Sequence, residues 1–477
     1  MNEPASYDFA VLGGGSAGYA AARTAVSLGL KTVVIDGAAE LGGLCILRGC
    51  MPSKTLIESA NRALSVRRGA EFGLRSALEA VDTGFIRERK RRLIAEFADY
   101  RAAQLTDGRF DLVRGSARFT SPTRLLVAGL GKQEEEIAFR TALIATGSKI
   151  SLPAIPGLAE TGSWTSDTAL DAAKIPKSFI VLGGGAVALE FAHYLEGIGR
   201  QVSLVQRSAH LLTGMDPEVG DAVQMALATR GVEIHCGTRL LRVFTHDSRK
   251  QVVFATGTGE RTLEAEEILV ALGRRAASDQ LGLAEAGLGR EGDRVRTSLT
   301  QQTTQPHIFA AGDVCGPSEV VHLAVLQGEL AARNAARVIA HQEPVEMMDY
   351  RLAIFGVFTH PQAASVGLSE TEASAGRRGV IVASYPFSDH GKSIVMGETE
   401  GFVKMIADAR TGELLGAAAV GPEAVELIHT VATAMHFRCT AQEFLRIPFY
   451  HPTLSEIWTY PAEVIADKVS GLTRPLS

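Results

Sequence analysis

Short apolar runs recur along the chain, and most of them stop at a glycine. The first covers residues 9–12 and closes on Gly13. An apolar run this short, bounded by a turn residue, reads as a buried strand. Residues 20–28 then have helical composition, and residues 31–35 read as a second strand ending at Asp36. The same alternation returns at residues 179–182 and 202–205. Further strands are expected at 143–145, before Thr146-Gly147, in "EEILVALGRR", which stops at Gly273, and at 307–310, ending in Gly312-Asp313. Strands that alternate with helical stretches predict βαβ units around parallel sheets. The C-terminal third differs. There "VASYPFSD", "GFVKMIAD" and "ELLGAAAVG" alternate like strands, and 424–437 reads as a helix.

These elements divide the chain into four stretches. Residues 1–150 begin an α/β domain, and 151–273 form a second α/β domain inserted into it, entered through the linker at Pro153 and Pro156. Residues 274–345 return to the first domain, and 346–477 make a C-terminal α+β domain. The fold class expected is α/β, with two Rossmann-like dinucleotide-binding domains. One further helix is expected over 85–105, where "RERKRR" gives it a charged face. Such a face is either solvated or offered to an acidic protein partner.

Composition narrows the function. The chain has 477 residues and a net charge of −5, which argues against nucleic-acid binding through overall basic charge. The start, "MNEPASYDF", is polar and has no apolar signal core. The longest early apolar stretch, 9–22, is glycine-rich and shorter than the ~18 residues that suggest a membrane span. A soluble cytoplasmic protein without a membrane partner is expected. Of five cysteines, Cys236, Cys315 and Cys439 are scattered and read as inert core thiols. Cys45 and Cys50 are the one close pair, in "GGLCILRGCMPSK". No resident metal is expected.

The first βαβ unit carries GxGxxG at Gly13, Gly15 and Gly18. In that context the first glycine makes the tight turn, the second lets backbone amides reach a pyrophosphate, and the third lets helix and strand pack closely. The helix N-terminus favours the phosphate charge. Asp36 can accept from a ribose hydroxyl. The second unit has Gly183 and Gly185 in the first two positions and Ala188 in the third. At its acid position stand Gln206 and Arg207, which suit a 2′-phosphate better than a free 2′-hydroxyl, although Arg207 could equally be a solvated surface arginine. Two dinucleotide folds in one chain suggest electrons passing between two cofactors. Asp313 could hold a polyol chain or a ribose.

The ordered set of these marks resembles one family over nearly the whole chain. They are the N-terminal GxGxxG, the Cys45–Cys50 segment running into Pro52-Ser53-Lys54, "ATG", the second fingerprint ending in Glu190, "LGR", "AAGDV", "VFTHPQAASVGLSE" and "HPTLSE". The chain is similar to the FAD-dependent pyridine nucleotide-disulfide oxidoreductases, which include dihydrolipoyl dehydrogenase, glutathione reductase and mercuric reductase. The resemblance implies that the first fold holds FAD, that the inserted fold holds NADP or NAD, and that the last domain forms a homodimer. It implies that the C-terminal histidine of one subunit completes the other's site. It also places cofactor contacts at Gly43, Ala117, Thr146, Gly147, Gly273, Gly312 and Ala324.

By the same resemblance Cys50 is the thiol next to the flavin, and Cys45 is the one that exchanges with substrate. Helical neighbours fall at i+3 and i+4, so a disulfide between an i+5 pair needs a local distortion, which Gly49 eases. Thiol–disulfide exchange needs a base to make the thiolate and an acid for the leaving sulfur. His451 and Glu456 in "HPTLSE" can supply both, the carboxylate fixing the imidazole tautomer. Lys54 and Glu190 resemble the family's ion pair beside flavin and nicotinamide.

Departures from the pattern bear on substrate. Leu44, Leu47 and Arg48 replace residues usual in the cysteine loop, and Arg48 could lower a thiolate pKa, meet an acidic substrate or simply face solvent. Thr213 stands where glutathione reductases carry a second arginine for the 2′-phosphate. No C-terminal cysteine pair and no N-terminal metal-binding domain are seen, so mercury is not the expected substrate. The leading expectation is a dithiol dehydrogenase or disulfide reductase, with a lipoyl carrier protein as first choice of partner. The rivals are a reductase of another small disulfide or metal ion, a hydride-exchange flavoprotein, and a flavin redox sensor without turnover.

Overall fold

The computed structural model describes residues 5–129, 134–376 and 379–473. The chain forms two compact units, each assembled from three separate stretches. The first contains Met1–Pro52, Glu88–Ser151 and Gly273–Asp349; the second contains Ser53–Arg87, Leu152–Leu272 and Tyr350–Ser477.

The first unit is built on a parallel sheet. The central strand Ala5–Leu12 pairs with Thr32–Asp36 on one side and Glu135–Ile144 on the other. Asp111–Ser121 and Ile308–Ala310 extend the sheet outward in the same sense. Both faces of the central strand are buried, which is why its apolar run is continuous. Phe9 and Val11 join one core with Ala21 of the Ser16–Ser27 helix and Ala331 of the Val321–Ile339 helix. Ala10 and Leu12 join the opposite core with Phe119, Leu125 and Phe139. That second core lies under an antiparallel excursion in which Asp111–Ser121, Arg124–Gly129 and the start of Glu135–Ile144 pair in sequence.

The second unit repeats the plan. Its five parallel strands run in the order Glu233–His235, Gln201–Val205, Ser178–Leu182, Glu267–Val270, Trp164–Thr165. An antiparallel meander, Arg239–His246, Arg249–Thr256 and Gly259–Ala265, stands where the excursion stood in the first unit. The unit also holds a five-stranded antiparallel sheet, from Ile354–Val357 through Gln362–Gly367, Leu414–Gly421 and Phe402–Asp408 to Val380–Pro386. The Ala424–His436 and Thr459–Thr473 helices cover it, with Trp458 fully buried and its indole N–H donated to the Leu427 carbonyl at 3.1 Å. Thr83–Leu105 is one long helix, as its composition predicts. Among the described residues no helix is long and apolar enough to cross a membrane.

The turn after the first strand is the tightest joint. Gly13 has φ of +106°, and a Cβ on Gly18 would stand 1.8 Å from the Gly13 carbonyl oxygen. A methyl there must drive helix from strand, because the obstacle is backbone and cannot rotate away. Gly18→Ala is expected to cost about 3 kcal/mol or more. Gly185→Ala, where an added methyl meets nothing within 4 Å, should cost under about 1 kcal/mol. Denaturant midpoints of the two purified variants compare them directly, and equal midpoints would contradict the packing argument.

Candidate active site

In the first unit, the Ser16–Ser27 helix begins at Gly15 and carries no acid in its first turn, so nothing there neutralises its exposed N–H groups. Gly43, at φ +75°, presses on this turn, and a Cβ on it would lie 2.7 Å from the Gly15 Cα. Gly15 itself faces open space apart from Gly43. A glycine-walled helix N-terminus of this kind fits the pyrophosphate of a dinucleotide. Asp36 is buried at the end of its strand, and its two carboxylate oxygens accept from the Gly14 and Ala38 backbone N–H groups, each at 2.8 Å. These bonds aim the carboxylate along the rim of the turn and leave lone pairs for a ribose hydroxyl.

The far edge of the same sheet gathers the later motifs. Gly312, at φ +80°, lies against Ala17 and Ala324, and its N–H donates to Gln327 Oε1 at 2.7 Å. Asp313 accepts from Ser148 Oγ at 2.6 Å, and Arg274 donates to that same Oγ at 2.7 Å and to the Ser148 carbonyl at 2.9 Å. Thr146 Oγ1 donates to the Ala277 carbonyl at 2.8 Å, and the Gly147 carbonyl accepts from the Ala277 N–H. Gly273 accepts from the Ser151 N–H at 3.0 Å. Ala117 is half-buried on the Asp111–Ser121 strand, paired with Val127. Ser148, Arg274 and Gln327 were missed by the sequence reading. The first two directly follow "ATG" and "LG", so their neighbours were signal enough; Gln327 had none.

The cysteine segment is a helix broken once. Gly43–Leu47 forms its first part, the chain turns out of helix at Arg48, and the helix resumes as Cys50–Arg67. Both thiols are half-buried. Gly49 permits the break for a different reason than expected: its φ is not positive, but a Cβ would come 3.0 Å from the Leu44 carbonyl oxygen and 3.1 Å from the Cys45 Cα. The glycine is needed so that the chain can double back over Cys45. Arg48 is exposed and pairs with exposed Glu40 at 3.2 Å, a surface contact worth at most about 1 kcal/mol. A different cation, Arg101, stacks over the Tyr19 ring at 4.0 Å. Burial pushes the Arg101 guanidinium below its ordinary pKa, while negative charge on Tyr19 and Cys45 would oppose that shift. Its position in the long charged helix gave no hint of this.

In the second unit, Glu190 is buried on the Ala186–Gly197 helix, and Lys54 reaches it from the Cys50–Arg67 helix. The ammonium donates to both carboxylate oxygens at 2.8 Å. The Phe358 N–H also donates to Glu190, at 3.2 Å, and the Lys54 ammonium lies 4.6 Å from the Phe358 ring centre. One turn further on, fully buried His193 meets Asn61 Oδ1 at 2.8 Å through Nε2 and Arg230 at 3.3 Å through Nδ1. Burial, reinforced by Arg230, holds its pKa well below the usual histidine value, so the ring is neutral.

The second glycine turn repeats the first with looser packing. Ala188 is fully buried in the third position, and Gln206 lies over Gly184 much as Asp36 lies over Gly14. Gly183 has φ of +121°, and Gly185 faces open space. The Gln206 amide oxygen accepts from the Arg207 N–H at 3.1 Å. Arg207 is exposed, and among the described residues no carboxylate pairs with it. At the C-terminal end, a turn through Thr453, whose hydroxyl donates to the Tyr450 carbonyl, returns Glu456 to His451. Their Nδ1–Oε2 distance is 3.0 Å. His451 is 79% exposed and Glu456 13%, so the imidazole reaches outward while its carboxylate stays shielded.

Two dinucleotide folds, a cysteine pair on a broken helix and an exposed histidine backed by a carboxylate define a class of two-cofactor disulfide oxidoreductases. The chain belongs to the pyridine nucleotide-disulphide oxidoreductase family: residues 7–328 match its main sequence profile, and residues 355–462 match its dimerisation domain. Members of this family use FAD and NAD(P)H. A dihydrolipoyl dehydrogenase of Bacillus subtilis is 32% identical over 462 residues, covering 94% of this chain and 96% of that protein. A mercuric reductase of Bacillus cereus is 31% identical over 454 residues, covering 94% of this chain and 70% of that protein. Among solved structures, a Cu(II) complex of the HOCl-induced flavoprotein disulfide reductase RclA from Escherichia coli superposes with a TM-score of 0.82 at 26% identity, covering 99% of this chain and all of that one.

Glu190→Gln keeps an acceptor for the Phe358 N–H but removes the charge that Lys54 pairs with. Because Glu190 is buried and Lys54 about a third exposed, the loss should be about 2–3 kcal/mol, below the full cost of breaking a wholly buried pair. The shift in denaturation midpoint measures it, and Glu190→Gln with Lys54→Met together should lose less than Glu190→Gln alone.

Proposed function

We propose that this chain is an FAD-dependent oxidoreductase that exchanges electrons between NAD(P)H and a dithiol/disulfide substrate through Cys45 and Cys50, and that it works as a cytoplasmic homodimer. A lipoyl group on a carrier protein is the substrate we favour, on the strength of the dihydrolipoyl dehydrogenases similar to it over nearly their whole length. The observation that carries the reading is the His451–Glu456 pair. Neither hydride exchange between nicotinamides nor redox sensing without turnover needs an acid and base, whereas thiol–disulfide exchange does.

Bound at the Gly13–Gly18 turn and Asp36, FAD would supply two-electron chemistry between the nicotinamide and the Cys45–Cys50 pair, which is left as two thiols. The protein's own groups do the rest. His451 of one subunit takes the Cys45 proton of the other through Nε2, because its Nδ1–H is held by Glu456. The Cys45 thiolate attacks one sulfur of the substrate disulfide; that bond breaks, and the leaving sulfur takes the proton back from His451. Cys50 then gives up its proton and its thiolate attacks Cys45 in the mixed disulfide, which restores the Cys45–Cys50 bond; the departing substrate sulfur takes that proton and leaves as the second thiol. Two electrons enter and two leave. With a dihydrolipoyl substrate the same steps run in reverse.

A second reading, reduction of another small disulfide or of a metal ion, is favoured by the likeness to RclA, whose solved structures include Cu(II) complexes. Steady-state assays with NADH and NADPH against lipoamide, a lipoyl protein, glutathione disulfide, Hg²⁺ and Cu²⁺ separate the two.

The protein should purify with bound FAD, and Cys45→Ser and Cys50→Ser should each keep it while losing lipoamide turnover. His451→Gln should slow the dithiol half-reaction by about 10²-fold or more while nicotinamide oxidation survives. Retained turnover in both cysteine variants would favour the hydride-exchange alternative.

Coenzyme choice rests on Gln206 and Arg207. An uncharged amide does not repel a 2′-phosphate, and an exposed arginine with no acid partner among the described residues can bind one, worth about 1.5–3 kcal/mol. With Thr213 in place of a second arginine, both coenzymes should work, NADPH modestly ahead. Arg207→Ala should raise KM for NADPH more than for NADH, and Gln206→Glu should favour NADH. A wild-type protein that uses NADH far better than NADPH would show that Arg207 does not reach the coenzyme.

A further inference from the structure

Glu456 has a second histidine. Its Oε2 meets His451, while its Oε1 faces Nε2 of His390 at 3.5 Å. His390 is wholly buried, just ahead of the short helix Gly391–Met396, and its Nδ1 lies 2.9 Å from the hydroxyl of equally buried Ser393. Among the described residues its Nε2 has no hydrogen-bond partner at ordinary distance, and the acceptor it faces is the Glu456 carboxylate. An ionised carboxylate can only accept, so the nitrogen facing it must carry the proton. Nδ1 is then the acceptor, and the Ser393 hydroxyl donates to it. The four groups form one line that converges on Glu456: Ser393 faces His390, and His390 and His451 approach the carboxylate from opposite oxygens.

The surroundings keep this tautomer neutral. Burial lowers the His390 pKa, with His451 acting in the same direction and Glu456 against it. Two rings stand edge-on to it, Tyr460 at 6.3 Å and Phe387 at 6.5 Å. Tyr460 is itself stacked on Tyr385 at 4.0 Å, and the Tyr385 hydroxyl donates to Asp389 at 3.0 Å. A carboxylate that is mostly buried and held by one exposed histidine alone could rotate about its terminal torsion, which is broad for glutamate. A second donor on the opposite oxygen removes that freedom.

We propose that His390 is a positioning residue of the acid–base pair, donating Nε2–H to Glu456 Oε1 so that Oε2 stays aimed at His451 Nδ1 and His451 Nε2 remains the nitrogen that handles the proton. The proposal rests on the reading of His451 and Glu456 as acid and base. No part of the sequence pattern pointed to His390, which lies more than sixty residues before Glu456 in the chain.

The test uses ¹⁵N chemical shifts of the histidine rings in the FAD-loaded protein near neutral pH, which report tautomers without turnover. In the wild-type protein His390 should be neutral with the proton on Nε2. In His390→Phe the His451 ring should change from a single Nδ1–H tautomer to a mixture, and the dithiol half-reaction should slow about tenfold, the scale of one hydrogen bond to a charged group. The nicotinamide half-reaction should be unchanged. His390→Gln, whose amide N–H reaches the Nε2 position, should restore the single tautomer and bring the rate within about threefold of wild type. A proton on Nδ1 of wild-type His390, a charged His390 ring, or an unchanged His451 tautomer in folded His390→Phe would each overturn the proposal. If the His451 tautomer changes but the dithiol rate does not, His390 positions the pair as proposed and the acid–base reading fails instead. Should His390→Phe not fold, the wild-type His390 tautomer and the single His451 tautomer in His390→Gln decide the matter.

Discussion

A carboxylate buried on a helix must find its partners inside the protein, and Glu190 finds them on two other segments. Lys54 comes from the helix that starts at Cys50, and the Phe358 N–H from the end of the Ile354–Val357 strand. Desolvating the carboxylate is tolerable only while both are in place. One charge therefore ties the Lys54 turn of the Cys50–Arg67 helix and the start of the C-terminal sheet to the second dinucleotide fold. Asn61 and His193 extend the same seam one turn along. Their neutral hydrogen bond adds direction without another buried charge.

The two dinucleotide folds solve one packing problem with different margins. In the first, Gly18 lies so near the Gly13 carbonyl that no side chain fits; in the second, the helix stands far enough off to bury the methyl of Ala188. Both place a polar side chain from the next strand over the middle glycine, Asp36 in one and Gln206 in the other. The difference in charge has a consequence. A buried carboxylate at that rim repels a phosphate and accepts from a hydroxyl, whereas an amide followed by an exposed arginine tolerates the phosphate.

Much of this was legible in the chain because it is local. The buried strands announce themselves as apolar runs that stop at glycine, since a strand covered on both faces has no polar alternation and its end must turn. The match of Thr83–Leu105 to a predicted helix has the same origin. The antiparallel excursions were not legible. Strands such as Arg124–Gly129 and Arg239–His246 mix charged and apolar residues without a clear period, and their pairing partners alone make them strands. Gly49 shows a subtler gap: its importance could be read, but its reason, the backbone of Cys45 beneath it, could not.

By itself the sequence determined the two glycine turns, the cysteine pair with its glycine and the histidine–carboxylate spacing, because each depends on residues within about thirty positions of one another, and the order of these marks along the chain carried the family resemblance. The tertiary structure decided which charges are answered. It paired Arg48 with Glu40 and, among the described residues, left Arg207 without an acid. It stacked Arg101 on Tyr19, hung Asp313 on Ser148 and Arg274, and put His390 against Glu456. Most of these contacts join residues far apart in the chain, and the sign and burial of a neighbour brought in by folding leave no trace in the local pattern of either partner.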